Sequence, residues 1–222
     1  MTYRTTPTVR RSAAVEKGEV DMVVRTMTIA CDRLGEVAFS AACFEAGQHL
    51  LVPRKRARVK GFGSGTRGKR VCHASGSTVE KMRGPAPYAA LGAKPVVVPN
   101  QLDCLVRFQL GEADATVTDS APAAGPAAQD PSVELVGTPR TVEPYGVALN
   151  LGDEDLVHRV NKVLEDFRED GWKSSYERRL AEDMVGTEGK KPAPPEPPTV
   201  AEPGPVPRGR GTGAHPARAD TP

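Results

Sequence analysis

Short apolar runs alternate with polar turns along the first 180 residues, and their spacing separates predicted strands from predicted helices. Uninterrupted apolar runs predict strands, whereas apolar residues recurring every three or four positions predict helices. The predicted strands are residues 21–24, 48–53, 69–73, 96–98, 115–118, 133–136 and 145–149. The predicted helices are residues 11–17, a segment from about 79, residues 101–110, a helix from 153 and a short helix after 171. Strands that alternate with helices favour an α/β fold with mainly parallel sheets.

The most regular helical pattern begins at Asp153, where a run of acidic residues suits the positive end of a helix dipole. Gly171 is a suitable C-terminal cap for this helix. Its apolar positions form one stripe, which consists of Leu156, Val160, Val163, Leu164 and Phe167. The next short helix carries Trp172, Tyr176 and Leu180 at intervals of four, and this spacing indicates packing against a core rather than ligand contact.

Composition limits the chain of 222 residues to one compact domain or two small lobes. From Gly186 onward the chain holds ten of its 21 prolines and no aromatic residue. Such a segment buries too little apolar surface to offset its ordering entropy, so residues 186–222 are predicted to be a disordered, proline-rich tail.

Charge and hydropathy exclude several classes of partner. The net charge of +2 is too small to indicate nucleic-acid binding. The basic clusters at residues 54–58 and 67–70 lack interleaved aromatic residues and are interpreted as solvated loop charge. The chain has no run of 18 or more apolar residues, so no membrane span is predicted. Residues 1–7 lack the apolar core of a secretory signal.

The cysteines do not suggest a metal site. Four cysteines occur without C-x-x-C spacing, and the histidines do not cluster with them. Cys72 and His73 are neighbours on a predicted strand, so their side chains point to opposite faces. No metal and no other cofactor is expected.

Arg33 and Asp119 carry the most informative candidate chemistry. Each follows a short apolar run that predicts a strand, Val20–Val24 for Arg33 and residues 113–117 for Asp119. A planar guanidinium offers two parallel donors to a carboxylate, and an aspartate accepts hydrogen bonds from an ammonium group. If the two strand ends face each other, the pair would hold a zwitterion, which indicates a free amino acid. Taken singly, each residue also fits a surface ion pair or a cap.

Several short sequence blocks occur along the chain in an order that resembles the family 3 extracytoplasmic solute-binding proteins, the amino-acid receptors of ABC importers. The chain is most similar to their actinobacterial glutamate- or glutamine-binding branch. The similarity extends from about Arg11 to Leu180. It is carried by blocks at residues 18–24, 26–33, 46–52, 68–72, 76–78, 111–119, 127–129, 136–137, 143–146 and 170–172.

The resemblance implies a two-lobed, periplasmic-binding-protein-like (type II) α/β fold with the ligand between the lobes. Residues 1–53 and 140–185 would form the first lobe, residues 54–139 the second, and residues 186–222 the tail. The chain crossings would lie at residues 50–53 and 138–143. The first lobe would be incomplete, because the resemblance begins in mid-lobe and the family's export signal and first strands are missing.

The resemblance also implies roles for six ligand-binding residues. Arg33 would bind the ligand α-carboxylate with help from Thr28, and the backbone carbonyl of Thr26 would meet the α-ammonium. Ser77 and Thr78 would cradle the carboxylate at a strand-to-helix turn, although both residues could equally be helix caps. Asp119 would accept the ammonium.

Further expectations follow from the same resemblance. Cys72 and Cys104 would form a disulfide, which requires an oxidising, extracytoplasmic compartment. The expected partners are a free polar or acidic amino acid of the glutamate or glutamine type and an ABC transporter permease, and the protein would act as a monomer without catalysis. The alternatives are an amino-acid-sensing domain for a membrane partner, or a dehydratase on the same fold, for which Asp119 and His73 are the only acid–base candidates.

The departures from the family pattern predict weak amino-acid binding and low stability for this chain. Arg25 replaces a small residue and puts a charge at or near the cleft entrance, where it could alter the choice of ligand. The segment missing before Arg11 would leave apolar surface of the first lobe exposed. Weak or absent amino-acid binding and low stability are therefore expected, and micromolar glutamate affinity in isothermal calorimetry of residues 1–222 would contradict this expectation.

Overall fold

The computed structural model describes residues 1–56, 59–81 and 92–184. The predicted tail at 186–222 and the helix beyond Lys81 lie outside the described residues. Ten strands are defined: β1 (Met22–Val23), β2 (Ala38–Phe39), β3 (Phe44–Ala46), β4 (Gln48–Pro53), β5 (Arg70–Ala74), β6 (Lys94–Val98), β7 (Ala115–Asp119), β8 (Val133–Val136), β9 (Glu143–Tyr145) and β10 (Ala148–Leu149). The helices are α1 (Arg11–Glu16), α2 (Thr78–Lys81), α3 (Asp103–Gln109), α4 (Ser120–Gln129), α5 (Glu154–Asp170) and α6 (Trp172–Arg179).

The larger sheet has the strand order β6-β5-β7-β4-β8 and forms the centre of the second lobe. Both of its faces are covered, because successive residues of β4 enter different cores. Leu50 and Val52 belong to one apolar cluster with Val71 and Val117, whereas Leu51 belongs to the other cluster. Alternating side chains on a strand with two buried faces require apolar residues at successive positions, as Leu50, Leu51 and Val52 show.

The prediction of mainly parallel sheets is wrong. Among the described residues, only β5–β6 and β5–β7 pair in parallel. In the same sheet β4 runs antiparallel to both β7 and β8. The strand arrives directly from the first lobe rather than through a helical crossover, and only a crossover would bring it in parallel to its neighbours.

The first lobe is built from two small antiparallel sheets, β1-β10-β2 and β3-β9. Its apolar core contains Val15 of α1 and Met27 together with Val37, Phe39 and Ala148 of the sheet region. The predicted strand at residues 145–149 is therefore two strands that belong to different sheets.

The crossing between the lobes lies at Gly47 rather than at residues 50–53. All of β4 pairs with strands of the second lobe, while β3 pairs with β9 of the first lobe. A Cβ atom on Gly47 would lie 2.5 Å from the carbonyl oxygen of Thr141 and 2.7 Å from Cβ of Pro139. The expected lobe boundary at residue 53 thus differs from the structure. At Gly47 only a glycine lets the two crossing segments approach this closely.

Helix α5 leaves much of its apolar stripe uncovered. Asp153 caps its start, since the Asp153 side chain accepts a hydrogen bond from the Leu156 amide at 3.1 Å. However, Val163 is 62% exposed and Phe167 is 42% exposed. The helix borders an apolar groove of about 330 Å³ against the stacked rings of Trp172 and Tyr176. Within the described ranges, no helix has the length and apolarity needed to cross a membrane.

A disulfide links Cys72 of β5 to Cys104 of α3, with Cα atoms 5.7 Å apart. Both cysteines are buried in one of the two cores of the second lobe. The bond therefore fastens helix α3 to the central part of the large sheet.

Replacing both cysteines by alanine is expected to lower the free energy of unfolding by about 3–4 kcal/mol, because the bond closes a loop with a sequence separation of 32 residues. Urea unfolding of the oxidised protein and of the double variant measures this difference. Reduced wild-type protein is the matched control, since it loses the cross-link without a change of volume. A difference below about 1 kcal/mol in both comparisons would contradict the expectation.

Candidate functional site

All six residues assigned by resemblance line one cavity of about 80 Å³ between the lobes. The first lobe contributes three of them and the second lobe contributes the other three. The six residues are Thr26, Thr28, Arg33, Ser77, Thr78 and Asp119.

The strand pairing beside the crossing at Gly47 fixes the position of Asp119. This residue ends β7 directly opposite Gln48, the first residue of β4. The next residue, Ser120, begins α4, and its amide donates a hydrogen bond to the carbonyl oxygen of Gly47 at 2.8 Å. Gln48 also donates from Nε2 to the Thr78 hydroxyl at 3.4 Å, so two of the site residues are arranged around the first residue of β4.

The first lobe reaches Asp119 through Tyr145. The Tyr145 hydroxyl donates to Asp119 Oδ2 at 2.6 Å. Tyr145 also forms an antiparallel bridge with Thr28, whose hydroxyl donates to Glu143 Oε2 at 2.8 Å. Glu143 accepts a second hydrogen bond from Thr141 at 2.8 Å. Two buried carboxylates are thus held by hydroxyl donors.

Arg33 connects the two lobes and is only 2% exposed. Its Nη1 donates to the carbonyl oxygen of Thr28 at 2.8 Å. Its Nη2 donates to the carbonyl oxygen of Gly76 at 3.2 Å. Since Gly76 belongs to the turn after β5 in the second lobe, the guanidinium spans the cleft.

The turn that contains Ser77 and Thr78 is hydrogen-bonded as a helix cap. The Ser77 hydroxyl donates to the Ala74 carbonyl oxygen at 2.7 Å, and the Ser77 oxygen accepts from the Glu80 amide at 3.4 Å. The Glu80 carboxylate accepts from the Gly76 amide at 2.6 Å. A side-chain carboxylate already occupies part of this turn, so a ligand carboxylate would find fewer donors than the resemblance implies.

Arg11 is a site residue that residue-by-residue reasoning did not assign. Its Nη1 donates to the Thr26 carbonyl oxygen at 2.8 Å, and its Nε donates to the Thr8 carbonyl oxygen at 3.1 Å. The first of these acceptors is the carbonyl that the resemblance assigns to the ligand ammonium. Arg11 stands where the similarity begins, but a lone arginine at the start of a helix gives no further signal of its role.

Burial dominates the electrostatics of the site. It raises the pKa of Asp119 from 3.8 to about 6, with a further rise from Glu143, while the hydrogen bond from Tyr145 and the charges of Arg11 and Arg33 oppose the change. Burial and then the Asp119 charge raise the pKa of Tyr145. Desolvation and the neighbouring Arg33 lower the pKa of Arg11 to about 10. The pKa of each of these three groups shifts mainly because burial removes its charged form from water.

The arrangement suits a small zwitterion but requires movement to admit one. Opposite charges from two lobes meet at one cavity, which is the geometry for binding an ammonium and a carboxylate together. A volume of about 80 Å³ is well below the roughly 300 Å³ of small-molecule pockets. Hinge opening of the lobes is the ordinary way to enlarge such a site. The larger groove beside α5 is almost wholly apolar and offers no comparable pair of charges.

A two-lobed α/β structure with a charged interlobe cavity defines the class of solute-binding proteins. The sequence profile of the bacterial extracellular solute-binding proteins, family 3, matches residues 1–180, and the chain belongs to this family. The expected resemblance is therefore confirmed.

Individual relatives agree with this assignment. The chain is 34% identical over 175 residues to the ABC transporter glutamine-binding protein GlnH of Bacillus subtilis, covering 78% of this chain and 62% of that protein. It is 28% identical to the glutamate-binding protein GluB of Corynebacterium glutamicum, covering 82% of this chain and again 62% of the relative. The chain thus spans less than two thirds of the length of these relatives.

Solved structures support the fold. An ancestral arginine-binding protein bound to arginine superposes with a TM-score of 0.72 at 30% identity, covering 81% of this chain and 80% of the other. An ancestral amino-acid-binding protein, described as a precursor of cyclohexadienyl dehydratase, gives a TM-score of 0.70 at 31% identity, covering 80% and 76%. The expected two-lobed fold is confirmed.

Asp119→Asn is expected to stabilise the protein at pH 7 and to have little effect at pH 4. The pKa of Asp119 is raised in the folded state, so its ionisation between about pH 4 and pH 6 lowers the free energy of unfolding. A rise from 3.8 to about 6 corresponds to about 3 kcal/mol, and the asparagine removes up to this cost.

Urea unfolding at both pH values measures the effect, with Asp114→Asn as the control from the other end of β7. A hydrogen bond from Arg70 lowers the pKa of Asp114, so that variant is expected to lose stability at pH 7. If Asp119→Asn also loses stability at pH 7, burial of the Asp119 charge does not govern this site.

Proposed function

We propose that this chain is the ligand-binding part of a receptor for a polar or acidic amino acid of the glutamate or glutamine type, which delivers the ligand to an ABC transporter permease. The α-carboxylate is bound by Arg33 and Thr28, and the α-ammonium is bound by Asp119 and the Thr26 carbonyl oxygen. Ser77 and Thr78 close the carboxylate side from the second lobe. The protein performs no chemistry and acts as a monomer.

The observation that carries this proposal is the convergence of six polar residues from two lobes on one charged cavity. Relatives named for glutamine and glutamate binding support the ligand class. Arg33 already hydrogen-bonds Gly76 across the cleft, so the same guanidinium contacts both lobes when they close. A ligand that replaces such contacts would shift the population toward the closed state.

Binding by the 222-residue chain is expected to be weak. The existing hydrogen bonds of Arg33, Asp119 and Thr28 must be exchanged for ligand bonds, and each exchange reduces the net gain. The exposed apolar face of α5 also indicates a first lobe that holds its shape less firmly. Dissociation constants of about 0.1–1 mM, or about −4 to −5.5 kcal/mol, fit these limits.

Isothermal calorimetry with L-glutamate and L-glutamine, extended into the millimolar range, tests the proposal. Arg33→Gln is expected to weaken binding at least about tenfold, because one or two charge-assisted hydrogen bonds are lost. Arg33→Lys retains the charge but loses the planar fork, so an intermediate affinity is expected. Arg10→Gln is the matched control, since Arg10 pairs with Glu19 on the surface and does not line the cavity.

Two results would contradict the proposal. One is the absence of any heat or chemical-shift change with either amino acid while circular dichroism shows a folded protein. The other is equal binding by wild type and Arg33→Gln. Mass spectrometry of the recovered ligand separates binding from catalysis, since a receptor returns the amino acid unchanged.

A further inference from the structure

The cleft carries more positive charge than a neutral amino acid can balance. Three arginines from the first lobe line the cavity, namely Arg11, Arg25 and Arg33, and Asp119 is the one acidic residue among the described residues that line it. Glu143 lies behind Thr28, where it accepts a hydrogen bond from the Thr28 hydroxyl. Among the described residues that line the cavity, three guanidiniums thus face a single carboxylate.

The hydrogen bonds of these arginines orient the guanidiniums without neutralising them. Arg11 donates to the Thr26 and Thr8 carbonyl oxygens. Arg33 donates to two further backbone carbonyl oxygens, and Arg25 donates from Nη1 to the carbonyl oxygen of Thr6. A carbonyl oxygen carries only a partial charge, and each guanidinium has five N–H donors. Donors therefore remain for a carboxylate.

Crowding of like charges is visible at Arg11. After desolvation, the charges of Arg33 and Arg25 are the causes that lower its pKa. Desolvation likewise lowers the pKa of Arg33, although Asp32, Glu143 and Asp119 oppose the change. An added negative charge in the cavity would relieve this repulsion, because unbalanced charge in a poorly hydrated site is costly.

Arg25 is the arginine placed to supply that interaction to a ligand side chain. Arg33 is committed to the α-carboxylate in the proposed function, and Arg11 is buried with its Nε and Nη1 engaged. Arg25 lines the same cavity but remains exposed, so it lies toward the mouth.

We infer that Arg25, with Arg11 behind it, binds a second carboxylate, so that the cleft selects amino acids with an acidic side chain over the corresponding neutral amides. The inference rests on the proposed function and specifies the ligand side chain. An acidic amino acid carries one net negative charge at neutral pH, which favours a cavity lined by three arginines and one aspartate.

The test compares L-glutamate with L-glutamine, which have the same length and differ in the charge of the side chain. Isothermal calorimetry of the full chain is expected to show at least tenfold tighter binding of glutamate. Arg25→Ala is expected to abolish this preference by weakening glutamate binding about tenfold while leaving glutamine binding within about twofold. Arg25→Lys should retain part of the preference, and the surface variant Arg10→Ala should retain all of it. Added salt should weaken glutamate binding more than glutamine binding.

The outcomes separate this inference from the proposed function. Equal affinities for glutamate and glutamine, or an unchanged preference in Arg25→Ala, would overturn the role of Arg25 while leaving the receptor function intact. Binding of neither amino acid would overturn both. A variant that loses glutamate and glutamine binding equally would show that Arg25 acts on the shape of the cleft rather than on the side-chain charge.

Discussion

The close approach of two chain segments at Gly47 is the constraint on which the site depends. Gly47 joins β3 of one lobe to β4 of the other, and its missing side chain leaves room for the backbone of Thr141. Because β4 then begins opposite Asp119 and β3 pairs Phe44 with Tyr145, the tyrosine hydroxyl reaches the aspartate. A single crossing therefore sets the positions of acidic groups from both lobes.

Burying these charges opposes folding, and the surrounding network limits the cost. Tyr145 supports Asp119, two threonines support Glu143, and backbone carbonyl oxygens support the arginines. Such networks fix the geometry of a site more than they stabilise the fold. The same contacts explain why ligand binding and lobe movement must be coupled, since bonds such as Arg33 to Gly76 cross the cleft.

Local patterns identified most elements but not always the face that they bury. Leu102 and Val106 have the four-residue spacing of an apolar helix face at the start of α3, yet these residues are 64% and 52% exposed. The buried face instead carries Cys104 and Phe108, because the disulfide to β5 fixes the rotation of the helix. Helix α4 was missed, since Pro122, Gly125 and Pro126 all argue against a helix in isolation, and its packing on β4 and β8 outweighs those propensities.

The sequence by itself determined the family and most of the strands and helices, and the resemblance supplied the six candidate ligand residues, because motif order and apolar periodicity are local properties of the chain. The tertiary structure decided the strand directions, the place of the crossing and the partners of each charge. Arg11, Tyr145 and Glu143 joined the site only through contacts between residues far apart in sequence, which no local pattern encodes. The excess of positive charge likewise became visible only when Arg11, Arg25 and Arg33 were found around one cavity.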